Sequence, residues 1–348
     1  MKTKLLALCA AGLGLTGLAA PAAAQDNQDD RGGTQAMEEL LVPVTPRTVA
    51  LGNALTGGLN NLIGVEAVQS NPAAVLSSVG TNAMFSRQEY VEDIGINYVG
   101  ISQSFGANSV AITLMSWDYG DIERTSSANP DVNPIAPEMW SASTYAFGAT
   151  YSRQFTDRIG AGATVKALGR QIEDVNSNGV ALDAGITYIV PDQGLRFGVS
   201  LQNLGAEMTF GGDGLRRQLP SQGPNGGGDI AGEIDDLPAQ LPSVLNFGAS
   251  YTSQVAANVS VTGLANFRSV SYDLNRFSGG LEVGFSDLLY ARGGVDLSRD
   301  TEVDHWQGWT VGAGLNLDIQ SSTLRVDYAY RPSDVFSDVN MFSVAIGL

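Results

Sequence analysis

From residue 82 to residue 348 the chain alternates bulky apolar residues with small or polar ones, segment after segment, and a period of two admits only β-structure. In 309–319 one face carries Trp309, Val311, Ala313, Leu315, Leu317 and Ile319, and the other Thr310, Gly312, Gly314, Asn316 and Asp318. In 195–201 Leu195, Phe197, Val199 and Leu201 stand opposite Arg196, Gly198 and Ser200. The last segment sets Phe342, Val344, Ile346 and Leu348 against Ser343, Ala345 and Gly347. A soluble barrel would close-pack its bulky face inside. Here the opposite face is built from Gly, Ala, Ser and Thr with charges among them, which suits a polar lumen and leaves the bulky face for lipid.

About fourteen such strands are predicted, near 82–89, 92–106, 108–117, 141–155, 157–172, 179–190, 194–204, 243–254, 257–268, 274–286, 288–298, 306–318, 322–331 and 339–348. The expected fold class is all-β, a transmembrane outer-membrane β-barrel of about 14 antiparallel strands, with residues 81–348 as its wall. An even count puts both ends on one side, the periplasm. Connections there should be short (106–108, 156–157, 191–193, 254–257, 286–287, 318–322) and the others longer, 118–140 and 205–242 most of all. The segment 205–242, rich in glycine and charge, is expected to be an outer-surface element for protein contact rather than wall.

Tryptophans Trp117, Trp140, Trp306 and Trp309 fall at outer strand ends, where an aromatic girdle meets the lipid headgroups. Phe105, Phe155, Phe285 and Tyr290 lie near the inner ends. The same phase puts Lys166, Arg170, Asp183, Arg196, Glu282, Arg292, Asp296, Arg325, Asp327 and Arg331 on the inward face. Facing lipid, each would cost about 2–4 kcal/mol at mid-depth. Both signs are present, so pairing across the lumen or clamping of an inserted segment fits better than an ion-selective constriction of one sign.

That inserted segment is sought upstream. Residues 1–24 read as a secretory signal peptide: Lys2 and Lys4, an apolar run from Leu5 to Ala20, then Ala22-Ala23-Ala24. Cys9 lies within it, so cleavage would leave no cysteine, disulfide or thiolate site. Without Lys2 and Lys4 the chain has 17 basic against 36 acidic residues, a net charge of −19, which speaks against nucleic acid as partner. Residues 25–43 are expected to be a flexible acidic leader. Residues 44–80 form the last stretch before the wall without strand character: short helix-like pieces around a Gly- and Asn-rich middle, with Asn71-Pro72 starting the last. It is expected to be an N-terminal hatch in the lumen, with Asn71, Pro72 and Ala73 as its motif.

No catalytic set assembles. The single histidine, His305, sits beside Asp304 and Trp306 at an outer strand end and reads as a surface residue. Asp174 to Gly179 matches the first half of a calcium loop, but Gly185 stands where the bidentate Glu belongs, so the stretch is read as a hairpin connection. Gly160-Ala161-Gly162 and Gly312-Ala313-Gly314 lack the strand-to-helix setting of a nucleotide loop. No metal or cofactor is expected.

Arg47 to Gly52 followed by Gly-rich residues, Asn71-Pro72-Ala73 just before the first strand, and Arg325-Val326-Asp327-Tyr328-Ala329-Tyr330 before the last together resemble the PorV/PorQ family of the FadL-like superfamily. The resemblance covers roughly residues 44–348; Leu348 departs from the usual terminal aromatic of such barrels. It implies a fourteen-stranded barrel with an N-terminal hatch, and a role in type IX secretion, with a large translocon barrel and secreted cargo as partners besides outer-membrane lipid. The alternative is a FadL-like channel for small hydrophobic compounds, which would need an apolar pocket between hatch and wall. Met115, Leu168 and Leu264, with Leu59, Leu62 and Ile63 of the hatch, are the candidate lining.

Overall fold

The computed structural model describes residues 35–59, 62–125, 138–219, 230–271, 274–298 and 306–348, so the expected signal peptide (1–24), residues 25–34 and His305 lie outside the described part. Seven strands come first: β1 (Thr81–Glu89), β2 (Gly95–Phe105), β3 (Asn108–Glu123), β4 (Met139–Gln154), β5 (Ile159–Ile172), β6 (Val175–Val190) and β7 (Leu195–Gly205). Three short strands follow, β8 (Gly211–Gly212), β9 (Arg216–Leu219) and β10 (Ile230–Glu233). The wall resumes with β11 (Val244–Ala256), β12 (Val259–Val270), β13 (Arg276–Phe285), β14 (Leu289–Ser298), β15 (Trp309–Ile319), β16 (Ser322–Arg331) and β17 (Val339–Gly347).

Sequential neighbours pair antiparallel, β7 pairs with β11, and β1 pairs with β17, so fourteen strands close into a barrel. Closure leaves no unpaired edge, which a membrane-spanning sheet requires. The two ends of the wall meet at Thr81 and Leu348, whose backbones exchange hydrogen bonds of 3.2 and 2.8 Å. At this end the connections are tight; Ser286 and Asp287 both sit near φ +54°, the left-handed geometry a two-residue hairpin demands. At the opposite end the connections are longer, with one exception, the two-residue turn at 173–174. We call that opposite end the outer mouth.

Outward positions are apolar and exposed, among them Phe85, Val99, Ile101, Ile112, Leu114, Phe147, Val165, Phe197, Phe247, Leu281 and Val344. Their inward neighbours on the same strands, such as Ser86, Ser102, Thr113, Thr164, Ser200 and Ser343, are buried. An apolar exterior around a polar interior is the arrangement of a barrel in an outer membrane. Among the described residues no helix is long and apolar enough to cross a membrane.

The interior is filled by the chain's own N-terminal part. Residues 46–59 and 62–78 run through the lumen as helix α1 (Pro46–Ala50) and short 3-10 turns at Leu55–Gly57, Gly64–Glu66 and Pro72–Ser77. Pro46 and Pro72 each stand at the first position of their turn, where the missing N–H costs nothing. Leu51, Ala54, Leu55, Leu59, Leu62, Ala67 and Ala74 form a small core of their own, which Leu264 of the wall completes.

Three sequence expectations change. Residues 35–43 are not a free leader: Ala36, Met37, Glu39 and Leu40 are buried in the outer mouth, and Ala36 N–H bonds to Gln240 O at 2.9 Å. A polar, acidic composition concealed that Glu39 has partners inside. Asp174 to Gly179 is the start of β6 apart from Asp174, so its amide and hydroxyl side chains alternate between faces and cannot converge on a cation. In the segment after β7, Met208 and Leu241 are buried against Leu168 and Ala181, and β8 pairs with β6, so its described part folds back onto the mouth.

Candidate functional site

Two charges are the only ones between residues 44 and 80, Arg47 and Glu66. Both are 1% exposed and both find partners on the wall. Arg47 donates from Nε and Nη2 to the two carboxylate oxygens of Glu282, at 2.8 Å each, the forked geometry a guanidinium offers a carboxylate. Glu66 Oε2 lies 3.5 Å from Arg47 Nη1 and 3.3 Å from Arg325 Nη1. Arg292 Nε donates to Glu282 at 2.7 Å and its Nη1 to Asp327. Three guanidinium groups and three carboxylates thus form one buried, charge-balanced cluster that ties the lumen segment to β13, β14 and β16. Buried ions persist only when paired in this way.

Inward glycines make room for the backbone. A Cβ on Gly185 would fall 2.0 Å from Asn71 Oδ1, and one on Gly198 1.9 Å from Thr56 O. Asn71 uses that space fully: its Nδ2 donates to Thr56 O (3.0 Å) and Ile186 O (3.2 Å), and its Oδ1 accepts from Ala73 N (3.0 Å). Pro72 O accepts from Ser152 Oγ at 2.8 Å, and Ala73 is 1% exposed. Other charges singled out from sequence also find partners, some of them in the lumen segment. Lys166 meets Asp183 at 2.6 Å, Asp296 accepts from Asn53 Nδ2 (2.8 Å) and Ser278 Oγ (3.0 Å), and Arg196 Nη1 lies 3.4 Å from Ser77 Oγ.

Above the cluster, at the outer mouth, lies a cavity of about 500 Å³. Gln35, Glu38, Glu39, Leu41, Val42, Pro43 and Asn53 of the N-terminal part line it; the other described lining residues are strand ends and loops of the wall. Glu39 fastens the N-terminal strap, accepting from Thr144 Oγ1 at 3.2 Å and from Tyr119, and pairing with Arg170. The aromatic side consists of Tyr90, Trp117, Tyr119 and Trp306: Tyr90 meets Trp117 edge-on at 5.4 Å and Trp306 at 5.9 Å, and Trp117 stacks on Tyr119 at 6.1 Å. Arg331 lies over the Trp306 ring at 3.9 Å. Arg268 and Arg276 line the opposite side. A second, polar cavity of about 420 Å³ opens at the other end, below the cluster, lined by Ser77, Arg196, Thr252, Thr262, Glu282 and Tyr290.

The tryptophan girdle is therefore a correction. Trp117 shares the phase of Met115 and faces the lumen, 4% exposed; Trp306 lines the cavity; Trp140 shares the inward phase of Thr144 and Ala146. Only Trp309 of the four faces outward among the exposed apolar side chains. Position along a strand was read without its phase. Tyr290 is also inward, with Arg292 over its ring at 5.5 Å. Of the apolar lining expected between hatch and wall, Met115 and Leu168 pack with Met37 and Leu40, while Leu59, Leu62 and Leu264 pack with each other and Ile63 with Val65 and Met84. None of these six lines the large cavity. Sequence reading gave Arg47 only as part of the family resemblance and passed over its pairing, together with Glu66, Glu39 and Tyr90; a lone charge in an apolar segment is the signal that would have found Arg47 and Glu66.

No protein-family model matches the sequence, and no curated protein matches it. Solved structures do resemble it. The Pseudomonas putida toluene transporter TodX superposes with a TM-score of 0.55 over 86% of this chain and 96% of its own, at 11% identity. A Pseudomonas aeruginosa FadL homologue does so at 0.53, over 88% and 98%, at 13% identity. At such identity the likeness concerns the fold alone: a closed, fourteen-stranded antiparallel barrel, similar to the barrels of these two proteins.

Proposed function

We propose that this protein admits small hydrophobic or amphipathic organic compounds through the outer membrane, receiving them in the outer-mouth cavity. The observation that carries this reading is that cavity itself: about 500 Å³, aromatic on one side, lined in part by the N-terminal strap, and above a lumen segment whose displacement would join it to the cavity below. Its volume and partly aromatic lining suit a small organic ligand. The fold shared with a toluene transporter supports the same reading. In cells, deleting the gene should slow uptake of such compounds while protein secretion continues.

The secretion reading drawn from the PorV/PorQ resemblance is the second proposal. What favours it is the tightness of the filling: Arg47, Glu66 and Asn71 anchor the lumen segment on all sides, and a protein that works through its rim needs no open passage. It requires that deletion trap cargo in the periplasm, and that mild-detergent purification recover a larger barrel with this one. Normal secretion with impaired uptake sets it aside.

A further inference from the structure

Outside the lumen, the lipid-facing side of β17, β1, β2 and β3 carries a groove of about 490 Å³. Its rims are outward side chains, among them Phe85, Val99, Ile101, Leu114, Val344 and Ile346. The groove exists because small residues interrupt the bulky ones. Ala83 stands between Ile346 and Ile101 in the pairing of three strands, and Gly100, next to Ile101, carries no side chain. Apart from Thr113, the described lining is apolar or glycine. Val65 of the lumen segment stands behind Gly100, where an added Cβ would meet the Val65 Cβ at 2.9 Å, so the lumen is shut off at this point. The groove therefore takes its guest from the membrane, and its lining suits a hydrocarbon chain.

Toward the outer mouth the apolar lining ends in two charges of opposite sign. The outward residues of β1 run Ala83, Phe85, Arg87 and Glu89, and their partners on β2 run Ile101, Val99, Asn97 and Gly95. Arg87 is exposed; its Nη1 donates to Asn97 Oδ1 at 3.0 Å, and it lies over Gly95, where a Cβ would fall 2.8 Å from its Nη2. Among the described residues Arg87 pairs with no carboxylate, and the exposed Glu89 with no cation. Two residues apart on one strand face, they are separated by about 6–7 Å along the strand. Asp118, across Gly95, adds a second carboxylate beyond the guanidinium. On its other side Arg87 neighbours Phe342, a ring exposed toward lipid. A guanidinium beside lipid costs little at the interface, and there it can grip a lipid phosphate with two parallel hydrogen bonds.

Apolar slot, cation, anion: the order along β1 repeats that of an acyl chain, a phosphate and an amine in one lipid. We propose that this face holds an amine-bearing phospholipid of the phosphatidylethanolamine kind, from the leaflet nearer the outer mouth. One acyl chain fills the groove, the phosphate accepts from Arg87, and the ammonium donates to Glu89. A lipid with a phosphate and no amine leaves Glu89 facing an anionic head group. The site lies on the wall, so it stands or falls independently of what the lumen passes.

Native mass spectrometry of the folded barrel, purified in neutral detergent, tests this with three lipids of identical dioleoyl chains: phosphatidylethanolamine, phosphatidylglycerol and diacylglycerol. The first should be retained at least fivefold more than either of the others. Arg87→Gln should lower retention of both phospholipids at least threefold. Glu89→Gln should lower that of phosphatidylethanolamine alone, to the level of phosphatidylglycerol. Ala83→Phe, which fills the groove, should weaken all three lipids, and Arg153→Gln at the inner end of β4 should change none. Each variant is checked for heat-modifiable migration of the intact barrel. Glu89 ends β1 in solvent, so its substitution tests the site even where Arg87→Gln unsettles the wall. Phosphatidylglycerol retained as well as phosphatidylethanolamine, or a preference that survives Glu89→Gln, overturns the proposal. So does tighter retention of diphosphorylated lipid A, which would make the guest an acidic glycolipid.

Discussion

Glu282 holds two guanidinium groups at once, Arg47 through both its oxygens and Arg292 through one, so deleting its carboxylate leaves both cations buried without it. Glu282→Ala should therefore cost about 3–5 kcal/mol, the range seen when one partner of a buried ion pair is removed. Glu282→Gln, which keeps one acceptor, should cost less. Urea unfolding of the detergent-solubilised barrel measures both, and an unchanged midpoint for the alanine variant would refute the clamp. Glycine offers a second residue-scale test. A methyl on Gly185 would lie 2.0 Å from Asn71 Oδ1, whereas one on the lipid-facing Gly263 meets nothing within 4 Å. Gly185→Ala should destabilise by about 1–3 kcal/mol, the usual range for overpacking. Gly263→Ala should stay within about 0.5 kcal/mol of the parent. Equal effects at the two sites would mean that the lumen segment does not press on the wall at Gly185.

At the scale of elements, the wall was legible because period-two alternation is a local property that each strand carries in its own residues. Segments such as 322–331 and 195–201 announce their faces without help from partners. The start of β6 was missed because Asp174, Asn176 and Asn178 carry turn chemistry that pairing with Arg170, Gln171 and Ile172 overrides. Trp117 and Trp306 were misplaced because their height along the wall was read and their phase was not. The strap at 35–43 was illegible for another reason: its fixed position depends on Arg170, Tyr119 and Thr144, more than eighty residues away or nearly so. That dependence is testable. Glu39→Gln should weaken the pairing with Arg170 and loosen the strap, so that brief protease treatment cuts within 35–43 several-fold faster while the barrel keeps its compact migration. No change in cleavage would show that apolar burial of Met37 and Leu40 alone holds the strap.

For the whole molecule, the proposed uptake would make the N-terminal segment a gate between two cavities, one at the outer mouth and one below the charge cluster. The most direct measurement is uptake through a barrel whose gate can be locked. An ideal Cβ on Gly280 lies 3.0 Å from Leu51 Cβ, less than about 1 Å short of the usual disulfide separation of ~3.8 Å. The only cysteine of the chain, Cys9, falls within the expected signal peptide. Cells carrying the Leu51→Cys, Gly280→Cys variant should take up a labelled small aromatic compound, naphthalene, at the parent rate when reduced. After oxidation uptake should fall to the level of cells without the gene, while calorimetry on the oxidised, purified barrel still registers binding at the outer mouth. Uptake that continues undiminished through the oxidised variant, with the disulfide verified, would contradict passage past the lumen segment and the account built on it.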